Sequence, residues 1–598
     1  MEKKTNLPAW NLSDLYQGIE DKKVKEDLEA YKKFNEELAA RYKGKMAGLN
    51  ASEFAGAVRL YEKAGVLAAK LGVFAYLNMI TQMKNKKAMA FYQNTSETMT
   101  EYGKPAIFFT LEINSLPDDV FDRFLADKEV AYYEPWLKRV RLFKPYELAE
   151  DMEALLADKA LTSSSAWVRL YDETASKLKY TVDGKEYNDA ELSKLLQDKD
   201  PLIREKAGKE MNRVNKENGE LFTFIYNMIV KDKAIEDEKR GFKTPIQPRN
   251  LSNMVEDEVV ESLAEAVKAQ FKNISERFYK LKAKWLGKDK IQYWDRNAPL
   301  PFSDDKLYSW KESVDLVLKA YGEFSPKLQN IAKDFFSHDW IDVPPRDGKR
   351  SGAFAMPLPK EFHPYLLLNF AGKQNDVLTL AHELGHGCHM QLSIQAGDLN
   401  DDTPLTLAEV ASVFAEMLTF QSLLKQLDDD KAKLCLIAGK VNDMINTALR
   451  QIAFHFFETK IHAERKNGEL SEERIAEIWQ EVMTESLGQY VIVDDDSKYI
   501  WPIVSHFYHS PFYVYAYSFA DCLVNSLYQV YREGSVADFP DKYLHMLSKT
   551  GVEKYDELLK PFGLDAHDVN FWNKGLGLIS EYIDELESLD KKLCSVDD

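Results

Sequence analysis

Ala381-His382-Glu383-Leu384-Gly385-His386 is the stretch from which the rest of the chain is read. On a helix, residues four apart share a face, so His382 and His386 present two imidazoles to a single ion while Glu383, one step round, faces the water such an ion would activate. That is a zinc hydrolase site in outline. Two ligands do not complete it, because a catalytic tetrahedral zinc takes three protein ligands and leaves its fourth position open. With eleven histidines in 598 residues, a chance HExxH match is the competing reading until a third ligand is found.

A metzincin would carry Gly at 389 and His at 392; this chain has His389 and Leu392, so that class is excluded. What remains is a second helix bearing a glutamate. Thr406-Leu407-Ala408-Glu409-Val410-Ala411-Ser412-Val413-Phe414-Ala415-Glu416-Met417-Leu418 follows at once, with Glu409 and Glu416 seven apart on one face of an apolar helix. Carboxylates buried that way are costly unless paired or metal-bound. We assign Glu409 as the third ligand and Glu416 as the group that orients a histidine through its free ring N–H. A solvated acidic stripe is the alternative. His389, one turn beyond His386, is collinear with the pair and reads as a packed histidine or one that supports a ligand.

Downstream, Ser505-His506-Phe507-Tyr508-His509-Ser510-Pro511-Phe512-Tyr513-Val514-Tyr515-Ala516-Tyr517 is dense in His and Tyr. Ser510 and Pro511 read as N-cap and first helical residue, which puts Tyr513 and Tyr517 on one face and His506, Tyr508 and His509 in the preceding loop. Peptide hydrolysis needs donors aimed at an oxyanion, and neutral His or Tyr supplies them. An aromatic core helix with incidental hydroxyls is the other reading, and the residues alone leave it open.

Working outward, the stretch from Trp10 to about Leu116 has the three- and four-residue apolar spacing of a helical hairpin or bundle. Further helices follow to Asp200, interrupted at Lys179–Tyr187, where Asp183-Gly184 between alternating residues signals a β-hairpin. Asp200-Pro201 starts another helix as cap and first residue. Gly241 to Asn250, with two prolines and Arg249, reads as a loop. Candidate strands lie at 290–295, 351–354 and 365–370, the last just before the HExxH helix. A small sheet there either offers an edge for an extended peptide or merely buttresses the helix. From Thr403 onward the pattern is helical. Three divisions result: an N-terminal helical bundle over 1–116, a helical segment with a hairpin over 117–200, and a catalytic part over 201–598, all packed into one body.

A net charge of −19 argues against nonspecific binding to nucleic acid or anionic membrane. The N-terminus lacks an apolar signal region, and no run of about 18 apolar residues occurs, so a cytoplasmic, non-membrane protein is expected. Four scattered cysteines without CxxC spacing point to buried thiols, not to a disulfide framework or a thiolate metal site.

These residues together resemble the oligoendopeptidase F-type zinc metallopeptidases, relatives of thimet oligopeptidase and neurolysin. The likeness runs from Trp10-Asn11-Leu12-Ser13-Asp14-Leu15-Tyr16 through Gly348-Lys349-Arg350-Ser351-Gly352-Ala353-Phe354, Asp376 to His386 and Leu407 to Ser412, to His506-Phe507-Tyr508, Phe512-Tyr513-Val514-Tyr515 and Pro561-Phe562-Gly563-Leu564-Asp565. The resemblance implies a mainly α, zincin-like ellipsoid of the gluzincin type, with a deep channel for unstructured oligopeptides and a small sheet beside the HExxH helix. It implies one zinc per chain on His382, His386 and Glu409, with Glu383 as general base. It also implies Tyr517 and His506 as oxyanion donors, with Tyr508 as the second tyrosine. Substrate contacts are expected at Gly352, Ala353, Phe354, Asn369 and Tyr513. Met356-Pro357-Leu358-Pro359-Lys360 departs from the Gly- and Ser-rich form of the family, which bears on subsite preference. A helical zinc carboxypeptidase and an inactive peptide-binding scaffold are the rival readings.

Overall fold

The computed structural model describes residues 7–302 and 306–595. The first six residues, part of the signal-peptide reading, lie outside that range. The chain is mainly α, as its long apolar-periodic segments require. Helices Lys22–Tyr42, Ala51–Ile80 and Lys86–Gly103 open it, the second started by an Asn50/Glu53 capping box. The helix Phe108–Ser115 ends just before Leu116, and the helix Pro201–Glu217 is capped by Asp200 as expected.

Two compact units are present, each gathered from three stretches of chain. The first comprises Met1–Pro145, Asp305–Leu423 and Val536–Pro561; the second comprises Tyr146–Asp304, Leu424–Ser535 and Phe562–Asp598.

In the second unit, β1 (Tyr180–Val182) and β2 (Lys185–Tyr187) form the expected hairpin. Asp183 and Gly184 both take positive φ, 50° and 76°, as a type I′ turn demands. The strand expected over 290–295 shrinks to β3 (Ile291–Gln292), parallel to Val491–Ile492, because Tyr293–Asp295 turns into a 3-10 helix. The expected loop at 241–250 is also partly helical: Gly241 ends one helix at φ 80°, and Gln247–Ser252 forms another, with Pro248 in its first turn.

In the first unit, β4 (Ile341–Asp342), β5 (Phe354–Met356) and β6 (Tyr365–Leu367) form a sheet of order β4-β6-β5, with β5 antiparallel at an edge. Its third strand is thus β4, which sequence periodicity missed in so short a segment, and not β3. Tyr365 and Leu367 pack into one core with Leu71, Phe74 and Leu77 of the second helix, which fixes the sheet beside the HExxH helix.

Among the described residues, two helical segments, Ala51–Ile80 and Leu405–Leu424, reach the length and mean hydropathy of a membrane span without being unbroken apolar runs. The second has 72% of its apolar window buried inside the fold and carries Glu409 and Glu416, so it is a core helix.

Candidate metal centre

The HExxH residues stand in the helix Gln374–Ser393, whose start is fixed by Asp376: its carboxylate accepts the N–H groups of Ala371 and Lys373 at 2.8 and 2.9 Å. Midway along, Gly385 makes a second helix possible at close range. A Cβ there would stand 2.8 Å from the Ala411 carbonyl oxygen and the Ser412 Cα, and 2.9 Å from the Ala415 Cβ. Two residues on, a Cβ at Gly387 would meet the Phe335 ring at 2.7 Å. The glycines within and after the motif therefore set the approach of what packs on it.

Against that face lies the glutamate segment, which differs from the uninterrupted helix expected. Leu405–Ala408 is one helical turn, Glu409 is a turn residue at φ −85° and ψ −1°, and the helix resumes over Val410–Leu424. The break aims Glu409 at both histidines. Its Oε2 lies 3.3 Å from His382 Nε2 and 3.2 Å from His386 Nε2. Glu416 Oε2 lies 3.2 Å from the other nitrogen of His382, Nδ1, and so selects the tautomer that leaves Nε2 free. Ser412, three residues after Glu409, donates to the same Oε2 at 2.7 Å and to the Glu409 carbonyl at 3.0 Å.

Among the described residues, His382, His386 and Glu409 alone form a group able to hold a metal ion, with ligand atoms within 4.8 Å of one another. Ligands of a tetrahedral zinc at about 2.0–2.1 Å are roughly 3.3 Å apart, close to the separations from Glu409 to each imidazole. The donor set thus fits zinc in both chemistry and spacing. Burial opposes a charged His382, yet the Glu409 and Glu416 carboxylates overcome it and raise its pKa to about 10. Burial likewise opposes a charged Glu409, and the two imidazoles overcome it, holding that carboxyl far below the usual range.

Glu383 is buried, with its Oε2 lacking a hydrogen-bond partner. Burial pushes its pKa up, against the pull of His382 and His386. A carboxylate so placed accepts a proton more readily than an exposed one.

His389 is a packed histidine. Its Nε2 pairs with Thr550 Oγ1 at 2.7 Å, its ring interacts with the backbone of Ala408, just before Glu409, and burial lowers its pKa to about 4. Tyr543 donates to the Val410 carbonyl at 3.0 Å, and Tyr321 to that of Ala381 at 2.6 Å. Ser412, Tyr543, Thr550 and Tyr321 were missed in the sequence; of these, only Ser412 carried a signal, its i+3 spacing from Glu409.

On β5 and its approach, Gly352 has φ 81°, and Asn369 Nδ2 donates to the Arg350 and Gly352 carbonyls at 3.0 and 2.7 Å. Asn369 therefore shapes the turn that carries Gly352, Ala353 and Phe354.

The tyrosine-rich segment belongs to the second unit and is built differently from the expectation. His506–His509 is one helical turn, residues 510–514 form a bend, and the long helix starts only at Tyr515. Phe512 bends the chain at φ 58°, its N–H held at 2.9 Å by the buried Glu458. Tyr517 Oη and His506 Nε2 are 3.3 Å apart, and the Tyr513 ring lies 5.2 Å from that of His506 and 5.3 Å from that of Tyr517. Burial lowers the pKa of His506, so the ring is neutral. Arg249 lies over the Tyr513 ring at 5.8 Å and reaches the Pro511 carbonyl at 3.4 Å.

Tyr508 departs from its expected place. It is 1% exposed, stacks on Tyr171 at 3.8 Å and packs against Tyr226 and Trp501. Its hydroxyl is sealed in an aromatic core. Tyr513 takes the place beside His506 and Tyr517 that sequence reading gave to Tyr508.

Comparison with known proteins adds an independent line. Residues 194–578 match the model of Peptidase family M3, and residues 112–180 match that of Oligopeptidase F. Oligopeptidase PepF of Bacillus subtilis is 25% identical over 597 residues, spanning 97% of this chain and 87% of its own. A crystal structure from Chlamydophila abortus superposes with TM-score 0.84 at 23% identity, covering 97% of this chain and 98% of that one. Oligoendopeptidase-F from Enterococcus faecium does so with TM-score 0.73 at 19% identity, covering 94% and 98%.

Proposed function

Because the chain belongs to peptidase family M3, we propose that it is a zinc-dependent endopeptidase that hydrolyses internal bonds of short, unstructured oligopeptides. The observation that carries this reading is the convergence of Glu409 Oε2 on the free nitrogens of both HExxH histidines. His382, His386 and Glu409 hold one zinc per chain, with Glu416 fixing the His382 ring. Zinc, when bound, acts as a Lewis acid towards water and the scissile carbonyl.

The protein's own groups do the rest. Glu383 takes a proton from the attacking water and returns it to the leaving amine. Tyr517 and neutral His506 donate to the oxyanion, and Tyr513 positions both. The edge strand β5 pairs with an extended substrate backbone; Gly352, Ala353 and Phe354 lie against it, and Asn369 holds their turn. We place the enzyme in the cytoplasm, where thiols such as the buried Cys388 and Cys522 stay reduced.

Peptides of graded length, blocked at both ends, test the reading by mass spectrometry with and without a chelator. Internal cuts that a chelator abolishes and zinc restores are expected. Cleavage confined to free C-termini would instead mean a carboxypeptidase, and no chelator-sensitive cleavage would leave a binding scaffold.

A further inference from the structure

The second unit holds two guanidinium groups, Arg296 buried and Arg450 half-buried, that pair with no carboxylate among the described residues. Arg296, just after the turn Tyr293–Asp295, is 5% exposed, and its Nε and Nη1 have no hydrogen-bond partner. Arg450 opens the helix Arg450–Arg465; its Nη2 donates to the Tyr293 hydroxyl at 3.1 Å, while its Nε is buried and unpartnered. The Arg296 guanidinium lies 4.6 Å from the centre of the Tyr293 ring. The Tyr279 hydroxyl, also buried without a partner, feels the charge of both arginines.

The neighbouring charges do not cancel this pair. Lys282, 4% exposed, adds a buried basic side chain whose pKa burial lowers to about 7, and it donates to the Arg296 carbonyl and to Asn442. Asp295 is taken by Arg204 Nε at 2.9 Å and Lys288 Nζ at 2.6 Å, and Asp443 acts on Lys282. The groups that favour charge on Arg296 and Arg450 are the Tyr293 and Tyr279 phenols. Although burial works the other way, the two guanidiniums bring the Tyr293 pKa down to about 8. A guanidinium does not shed its proton in a protein, so burying it without an opposite charge is costly.

The backbone is unusual at the same place. A π-helical turn, Lys272–Glu276, leads into the helix of Tyr279, and a second, Ile445–Leu449, ends directly at Arg450; the two adjoin. Such turns are rare and are frequent at functional sites.

We propose that Arg296, Arg450, Tyr293 and Tyr279 form a binding site for one small monovalent inorganic anion, of the chloride class. The donors are all N–H and O–H groups. The two free nitrogens of Arg296 do not belong to one fork of its guanidinium, so a planar carboxylate is not matched by them in bidentate fashion, whereas a spherical ion accepts donors from any direction.

The site has a route to the tyrosine cluster. Ser518 donates to the Ala448 carbonyl at 2.7 Å, inside the π turn that ends at Arg450, and Ser518 follows Tyr517. An anion that neutralises Arg450 steadies that turn and, through it, the seat of Tyr517. This second step rests on the function proposed for Tyr517; anion binding itself does not.

The test uses the full zinc-loaded chain at constant ionic strength, with chloride replaced stepwise by gluconate, and crystals soaked in bromide. Expected are a saturable rise of Tm with chloride, an anomalous bromide peak between Arg296 and Arg450, and a kcat about fivefold higher in chloride, the low end of usual coupling between sites. Arg296→Gln should abolish the Tm response; if it fails to fold, Arg450→Gln and the bromide peak carry the test. A flat Tm with no peak overturns the site and leaves the Tyr293 phenolate as the internal counter-charge. A chloride-dependent Tm with unchanged kcat overturns the link to Tyr517. A chain inactive in every buffer, yet with a chloride-dependent Tm, would count against the proposed function and not against the anion site.

Discussion

Glu383 and Glu416 flank the same histidine pair, but their partners divide their work. Glu416 is spent on His382 Nδ1, whereas the buried Glu383 keeps an oxygen free. Glu383→Gln should therefore bind zinc as the parent does and lose about 10²–10⁴-fold in kcat, checked by metal analysis alongside initial rates. Retained turnover would remove the base assignment. Glu416→Gln should weaken zinc binding by about 10–100-fold, read by competition with a chromogenic chelator, since a neutral amide orients the imidazole but polarises it less. The grouping of His382, His386, Glu409 and Glu416 was legible because i, i+4 and i, i+7 spacings are local geometry. Thr550 and Tyr543 were not, since their partners lie more than a hundred positions away in the chain. Tyr508 and Tyr513 show the same limit: five residues apart in one aromatic run, they go to opposite environments because Phe512 turns the chain between them.

At the scale of elements, the sequence showed what capping and periodicity control. Asp200-Pro201 started its helix where expected, and the Asp183-Gly184 hairpin formed in register. Breaks imposed by tertiary contact stayed hidden. The helix halts at Glu409, whose carboxylate faces two imidazoles, and the tyrosine helix starts at Tyr515 and not at Pro511, because Glu458 holds Phe512 in the left-handed region. Gly385 carries the contact between the HExxH helix and the glutamate helix, so Gly385→Ala should force Ala411 and Ser412 away and destabilise the chain by about 1–3 kcal/mol, measured by urea unfolding. An unchanged midpoint would mean that the helices part without strain.

For the molecule as a whole, buried neutral histidines set the acid limit. Burial lowers His389 and His455 to about 4 and His462 to about 3. Each takes up a proton near pH 6.5 when the chain unfolds but resists it when folded, so the unfolded state binds more protons and stability falls as pH drops from about 6.5 towards 4. Each contributes on the order of 3 kcal/mol to that loss by pH 4. Denaturant titrations at pH 7.5, 5.5 and 4.5 should show a progressive fall that His389→Gln blunts; a flat profile would mean that these rings are solvated.

The interleaving of the two units also bears on how the protein is made. The chain passes from one unit to the other at 145/146, 304/305, 423/424, 535/536 and 561/562. His382, His386 and Glu409 leave the ribosome well before Tyr543 and Thr550, which brace the segment around Glu409 and His389. At about 5–20 residues per second, that wait is on the order of ten to thirty seconds. A nascent chain stalled before residue 536 would hold His382, His386 and Glu409 yet lack the braces that keep them in place, so capture of the proposed zinc should be a late event of synthesis.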